Sequence, residues 1–192
     1  MFFTWLEVVY LIVLIVVVGY IFSDIFVKKR LTPDDIIKNK GSVNRFFNWQ
    51  NFKYAVLIAA PGILLHELAH KFVAMGFGLE ATFFIWGPGI AFGVVLKLIG
   101  SSFLVLAPGY VMIAGATPFQ SAITSLAGPL MNAVIWISCM LFLKFKQKVS
   151  KKVSRGVFFM GKLNMWLFIF NMIPIPPLDG SKVLFYIIGL FG

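Results

Sequence analysis

The sequence predicts an all-α polytopic membrane protein with about four transmembrane helices and a small membrane-associated β element. Hydrophobic residues make up 60% of the 192 residues and charged residues only 12%, whereas soluble domains have roughly 45–50% apolar and 25% charged residues. The apolar residues form long runs, the lysines and arginines lie between the runs, and mean hydropathy is +0.93. This composition excludes a soluble monomer and makes the lipid bilayer the expected solvent.

The first apolar run, residues 2–22, has the length of a membrane-spanning helix, about 30 Å. It lacks a basic region before it and is longer than the apolar part of a signal peptide, so we expect a retained span. Glu7, near one end, is expected to reach the membrane interface. The predicted organisation is an N-terminal transmembrane helix at 1–22, a polar connector at 23–51 and a core at 52–192.

Within the core, the apolar run at 52–75 predicts a second span, and Lys71 near its end is expected to anchor it at the interface. Residues 82–117 stay apolar but contain repeated Gly and Pro clusters. This pattern predicts three or four strands joined by turns. Residues 121–145 and 157–172 predict the third and fourth spans.

Positive charge is concentrated in two hydrophilic stretches. The chain carries 17 Lys and Arg against 7 Asp and Glu, a formal net charge of +10. Most of the basic residues fall at 28–53 and 144–162, between apolar runs, where anionic lipid headgroups are the simplest partner. We therefore expect no nucleic acid partner.

The two histidines of the chain form a pattern that is typical of a metal site. His66 and His70 are four residues apart and Glu67 follows the first. On a helix both imidazoles then point to the same side and can share one cation, and Glu67 can take a proton from water that zinc activates. A hydrogen-bonded cluster without metal is the alternative, but such a cluster is expensive in lipid.

A catalytic zinc needs a third protein ligand and an open position for water. No third histidine exists, and Cys139 lies within a span without other ligand types near it. Asp179 is the one carboxylate that follows an irregular, proline-rich segment inside apolar surroundings, so we expect it to be the third ligand. The alternative is that Asp179 only caps the last helix.

Two segments together resemble the site-two protease family of intramembrane zinc metalloproteases. The first is His66-Glu67-Leu68-Ala69-His70, and the second is the Asn-x-x-Pro-x-Pro-x-Leu-Asp-Gly pattern at 171–180. A third element, Ser-x-x-Gly-Pro-x-x-Asn at 125–132, is also similar to the family. The resemblance covers about residues 54–190. Residues 82–117 resemble the membrane-associated β region of the family only loosely.

The resemblance implies that His66, His70 and Asp179 bind Zn²⁺ and that Glu67 activates water. Hydrolysis would act on a transmembrane substrate helix, which must unwind locally before attack because its carbonyls are already hydrogen-bonded. Asn171 and Asn132 could bind an unwound substrate or its oxyanion, and an apolar strand edge within 82–114 could pair with it. Otherwise the two asparagines only hydrogen-bond neighbouring helices.

The sequence thus predicts an integral, multi-pass intramembrane zinc metalloendopeptidase whose partners are a transmembrane protein and the bilayer. A membrane zinc carrier or sensor using the same ligands is the alternative, although it would have no need of Glu67. A structural scaffold would leave the polar cluster unexplained. Charge bias places both basic stretches in the cytoplasm, whereas the family resemblance implies the reverse, so sidedness stays open together with oligomeric state.

Overall fold

The described residues of the protein form a helical assembly with one two-stranded sheet. The computed structural model describes residues 3–25, 47–99, 108–146 and 148–191. Most of the polar connector predicted at 23–51 lies outside these residues, and the division of the chain into three parts stays a prediction. The elements are α1 (Trp5–Phe22), α2 (Trp49–Gly76), β1 (Ala81–Ile85), α3 (Gly87–Leu98), β2 (Gly109–Ile113), α4 (Pro118–Phe145), α5 (Lys151–Asn171) and α6 (Asp179–Phe191).

Helix α1 packs along α2. It begins with a capping box, in which the Thr4 hydroxyl accepts from the Glu7 backbone N–H and the Glu7 carboxylate accepts from the Thr4 backbone N–H. Near its other end Gly19 permits close approach, because a Cβ there would lie 2.8 Å from the Phe52 ring. Buried apolar side chains of both helices form a core that also holds Phe83 of β1.

The sheet pairs β1 and β2 in antiparallel register, with Phe83 opposite Val111. Trp86 donates to the Pro108 carbonyl and Ala114 donates to the Glu80 carbonyl. Since inward and outward backbone groups alternate along a strand, the odd-numbered residues of both strands direct their N–H and C=O groups away from the partner strand. Each strand therefore presents an outer edge at these positions.

The described part of 82–117 does not show the predicted three or four strands. The described part of that segment contains two strands with α3 between them. Pro88 lies in the first turn of α3, where its fixed φ suits a helix and its missing N–H is not needed. The Gly-Pro-Gly sequence that predicted a turn therefore starts a helix. The error is understandable because the apolar run after it is too short for hydrophobic periodicity to distinguish a helix from a strand.

Three described helices are long and apolar enough to cross a membrane, namely α1, α2 and α4. The fourth predicted span, 157–172, is a helix and forms part of the 21-residue α5. However, α5 is not among the three, because Arg155, Lys162 and two asparagines interrupt its apolar sequence. The structure thus supports a mainly helical membrane protein with three candidate spans and a small sheet.

Candidate metal centre

Helix α2 holds the paired histidines at the centre of the assembly. His66 and His70 are one helical turn apart and both are buried. Their ring centroids are 4.7 Å apart, and their Nε2 atoms are 3.1 Å apart. The separation of four residues in the sequence therefore places two nitrogen donors so that they face one point.

Asp179 reaches the same point from the other end of the chain. It is the first residue of α6 and follows the proline-rich turn after α5. Its Oδ2 atom lies 3.3 Å from the Nε2 atom of each histidine. Gly180 allows this approach, since a Cβ there would lie 2.9 Å from the Ile173 carbonyl oxygen. Asp179 thus heads the last helix, and its side chain also joins the histidines.

The spacing of these three donors fits zinc. In a tetrahedral site with metal–ligand distances of about 2.0–2.1 Å, neighbouring ligand atoms lie about 3.3–3.4 Å apart. The observed separations of 3.1 to 3.3 Å are close to this value. Among the described residues, His66, His70 and Asp179 form the group of three donors that could hold a metal ion.

The histidine tautomers also suit a metal. The Nδ1 atom of His66 lies 2.7 Å from the Asn132 side-chain oxygen, and the Nδ1 atom of His70 lies 2.7 Å from the Thr124 carbonyl oxygen. Both partners accept, so each Nδ1 carries the proton and donates it. Each Nε2 then keeps its lone pair for a cation, and the acceptors fix the ring orientations.

A second buried amide determines the orientation of Asn132. Its nitrogen donates to the Asn164 side-chain oxygen at 2.8 Å and to the Gly62 carbonyl at 3.1 Å. Asn164 in turn donates to the Met160 carbonyl. Because both amide hydrogens of Asn132 have acceptors, its oxygen must face His66. The chain of hydrogen bonds connects α5, α4 and α2 behind the metal centre.

The carboxyl group of Asp179 presents an oxygen atom, which is a hydrogen-bond acceptor, to the Nε2 atoms of both histidines. A carboxylate oxygen beside two imidazole lone pairs is a set of acceptors without a donor. Such a set is stabilised by a bound cation.

A cavity of about 450 Å³ opens onto this centre. Its wall includes the donors His66, His70 and Asp179, the carboxylate-bearing Glu67, and backbone and side chains of β2. Asn171, at the end of α5, also lines this cavity. Asn132 is fully buried and does not line it. Binding of substrate by Asn171 and Asn132 stays a prediction, and the contacts of Asn132 favour positioning of His66.

Some important residues escaped sequence reasoning. Thr124 acts through its backbone, which no motif reveals, and Asn164 shows only as a polar residue in a helix. Lys71 was expected at the interface, as was Glu7, but both are 2% exposed and bond to each other inside the protein. The sequence did contain a signal for this pair, namely one acidic and one basic residue in two different apolar runs. Charged residues within membrane-spanning segments tend to pair with each other.

Two imidazoles, an aspartate and an adjacent glutamate, reached through a cavity between apolar helices, define a metalloprotease centre of the zinc type. Comparison with known proteins agrees. The model of "Peptidase family M50" matches residues 140–191. A protein of Methanocaldococcus jannaschii is 37% identical over 145 residues, which cover 72% of this chain and 75% of the relative.

A protein of Mycolicibacterium smegmatis is 28% identical over 135 residues, which cover 64% of this chain and 52% of the relative. Both relatives are named "Putative zinc metalloprotease". No solved structure matches the chain. The chain belongs to peptidase family M50, and it is a zinc-dependent metalloprotease.

Proposed function

We propose that the protein is an intramembrane endopeptidase that hydrolyses peptide bonds of transmembrane substrate helices. The observation that carries the proposal is the position of the donor set. Two of its three donors lie on an apolar helix of spanning length, and the set opens to a cavity. A protease acting on soluble proteins has no need to bury its centre among such helices. The expected location is an integral, multi-pass protein in the bilayer.

In this proposal His66, His70 and Asp179 hold Zn²⁺. Their separations and tautomers support this assignment. When bound, zinc supplies Lewis-acid chemistry, which polarises a peptide carbonyl and makes water acidic enough to be a nucleophile near neutral pH. With three protein ligands the fourth position is left for water or substrate.

Glu67 is the proposed general base and acid. It lines the cavity next to His66 and is 8% exposed, and within the described part of the chain no residue forms a hydrogen bond or ion pair with its carboxylate. The carboxylate can therefore accept a proton from the attacking water. It can then deliver that proton to the amine that leaves when the peptide bond breaks.

The outer edge of β2 is the proposed docking strip for an unwound substrate. Gly109, Val111 and Ile113 direct their backbone groups away from β1, and all three residues line the cavity. A substrate segment that adds as a strand there would regain the hydrogen bonds it lost on unwinding. Asn171, on the cavity wall, could bond the same segment.

The test compares purified wild-type protein with Glu67→Gln on a membrane-spanning reporter in proteoliposomes. The variant should keep its zinc and lose cleavage, because glutamine cannot accept the proton. The matched control is Glu80→Gln, since the Glu80 side chain is exposed and lies outside the cavity wall. Normal cleavage by Glu67→Gln would remove Glu67 from the mechanism, and cleavage of soluble proteins alone would exclude the intramembrane function.

A further inference from the structure

The outer edge of β1 is closed by two side chains. Lys71 donates from Nζ to the Ala81 carbonyl at 2.8 Å, and the Phe83 backbone N–H donates to Glu7 Oε1 at 2.8 Å. Lys71 also donates directly to the same Glu7 oxygen. One carboxylate and one ammonium thus take two of the backbone groups of β1 that a neighbouring strand would use, namely the Ala81 carbonyl and the Phe83 N–H.

All polar atoms of this cluster have partners. The second carboxylate oxygen of Glu7 accepts from the Thr4 backbone N–H at 2.9 Å and from the Thr4 hydroxyl at 3.2 Å. The Lys71 ammonium also lies 4.9 Å from the centre of the Phe3 ring. Two charges at 2% exposure are tolerated only because each is paired and hydrogen-bonded.

The cluster joins three elements whose relative positions matter for the proposed function. Glu7 belongs to α1, Lys71 follows the metal-binding turn of α2, and Ala81 and Phe83 belong to β1. β1 carries β2, and β2 borders the cavity. The cluster therefore determines where the sheet lies relative to His66 and His70, although its side chains form no hydrogen bond or ion pair with the donors and do not line the cavity.

Building on the proposed function, we propose that Glu7 and Lys71 are positioning residues that hold the sheet for substrate and direct substrate addition to the β2 edge. Closing β1 prevents a substrate strand from adding on the side remote from the metal. Fixing β1 to the metal-binding helix sets the distance between the β2 edge and the reacting centre. A misplacement of about 1 Å far from the chemistry can lower rates about 100-fold.

Three variants separate this role from that of a simple ion pair. Glu7→Gln keeps an oxygen for the Phe83 N–H but leaves the Lys71 charge unpaired, so it should lose some cleavage and still retain more than a variant without an acceptor at this position. Glu7→Leu removes the acceptor and should lower kcat/KM for a membrane-spanning reporter about 10- to 100-fold, mainly through KM. The exchanged pair Glu7→Lys with Lys71→Glu restores opposite charges but faces each backbone group with the wrong partner, so it should not recover activity.

Two further measurements keep the result independent of misfolding and of the proposed function. Zinc content should be unchanged in all variants, because neither side chain bonds to the side chains of the donors. Hydrogen exchange at the Phe83 amide should be at least about tenfold faster in Glu7→Leu, since its acceptor is gone. Lys97→Gln is the matched control. Lys97 is also a lysine that bonds to the α1 region, since it donates to the Tyr20 carbonyl and to the Asp24 carboxylate, but it lies away from the sheet edge.

The outcomes are distinct. Cleavage by Glu7→Leu at the wild-type rate, or full recovery in the exchanged pair, overturns the positioning role. Loss of zinc in Glu7→Leu overturns it too, since the cluster would then support the metal centre. If the wild-type protein cleaves no membrane-spanning reporter, the proposed function fails. If hydrogen exchange at the Phe83 amide is unchanged in Glu7→Leu, the closure of the β1 edge by Glu7 is refuted, whatever the result for cleavage.

Discussion

Gly128 lies where α4 passes over the two histidines, and its replacement by alanine is a demanding test of the metal centre. A Cβ at this position would lie 2.6 Å from Cε1 of His70 and 2.7 Å from Cε1 of His66. Ordinary carbon contacts are about 3.5–4.0 Å. One or both rings must therefore move by about 1 Å, whereas metal–ligand distances tolerate only about 0.2 Å.

The expected size of the effect follows from this overlap. Overpacking of this kind costs about 1–3 kcal/mol, and if the strain is relieved by loss of ligand geometry it weakens zinc binding about 5- to 150-fold. Helix propensity acts in the opposite direction on the free energy of unfolding, because alanine is favoured over glycine in a helix interior by about 0.8–1 kcal/mol. Weaker zinc binding or a less stable metal-free protein therefore indicates overpacking, whereas a more stable protein with unchanged zinc affinity indicates helix propensity alone.

The assay is zinc affinity measured by competition with a chromophoric chelator, together with thermal unfolding of the metal-free protein. Gly156→Ala on α5 is the control, since its Cβ would meet nothing closer than the Tyr54 hydroxyl at 3.4 Å. It should bind zinc like the wild type. A Gly128→Ala protein that binds zinc as tightly as the wild type would refute the packing of α4 against the histidines.

Further predictions address the ligands, their support and the open strand edge. Asp179→Ala should weaken zinc retention in metal analysis as well as abolish cleavage, whereas retained zinc would exclude Asp179 as a ligand. Asn132→Ala removes the acceptor of the His66 N–H and should weaken zinc binding about 10- to 100-fold in the chelator assay. Val111→Pro removes an outward N–H of β2 and should lower cleavage of a membrane-spanning reporter while zinc is retained. The control Val111→Ala should cleave like the wild type. If Val111→Pro cleaves as fast as Val111→Ala, strand addition at this edge is excluded.

The local part of the metal centre could be predicted because it depends on neighbours in the chain. Four residues are about one helical turn, so His66 and His70 share a face wherever the helix lies. The apolar runs likewise indicate helices, because a buried helix satisfies its own backbone. The error at 82–117 arose because a short apolar run fits a strand or a helix equally well, and only tertiary packing, which includes contacts with α1, selects α3.

The buried cluster of Glu7 and Lys71 shows where such reasoning ends. Each residue alone reads as a charge near the end of an apolar run, and each could reach the interface. Their pairing depends on how α1 lies against α2 and on where β1 passes, and both depend on side-chain packing between distant segments. The same holds for Asn132, whose partners lie on two other helices.

The sequence by itself determined the chemistry of this protein: an apolar chain, two imidazoles and a carboxylate on one helical face, and a second motif with an aspartate. Only the tertiary structure decided that Asp179 lies 3.3 Å from both imidazoles, that Gly128 leaves room for them, and that one edge of the sheet is closed. The reason is physical, since residue spacing sets geometry within a helix, whereas contacts between helices depend on the packing of all their side chains together.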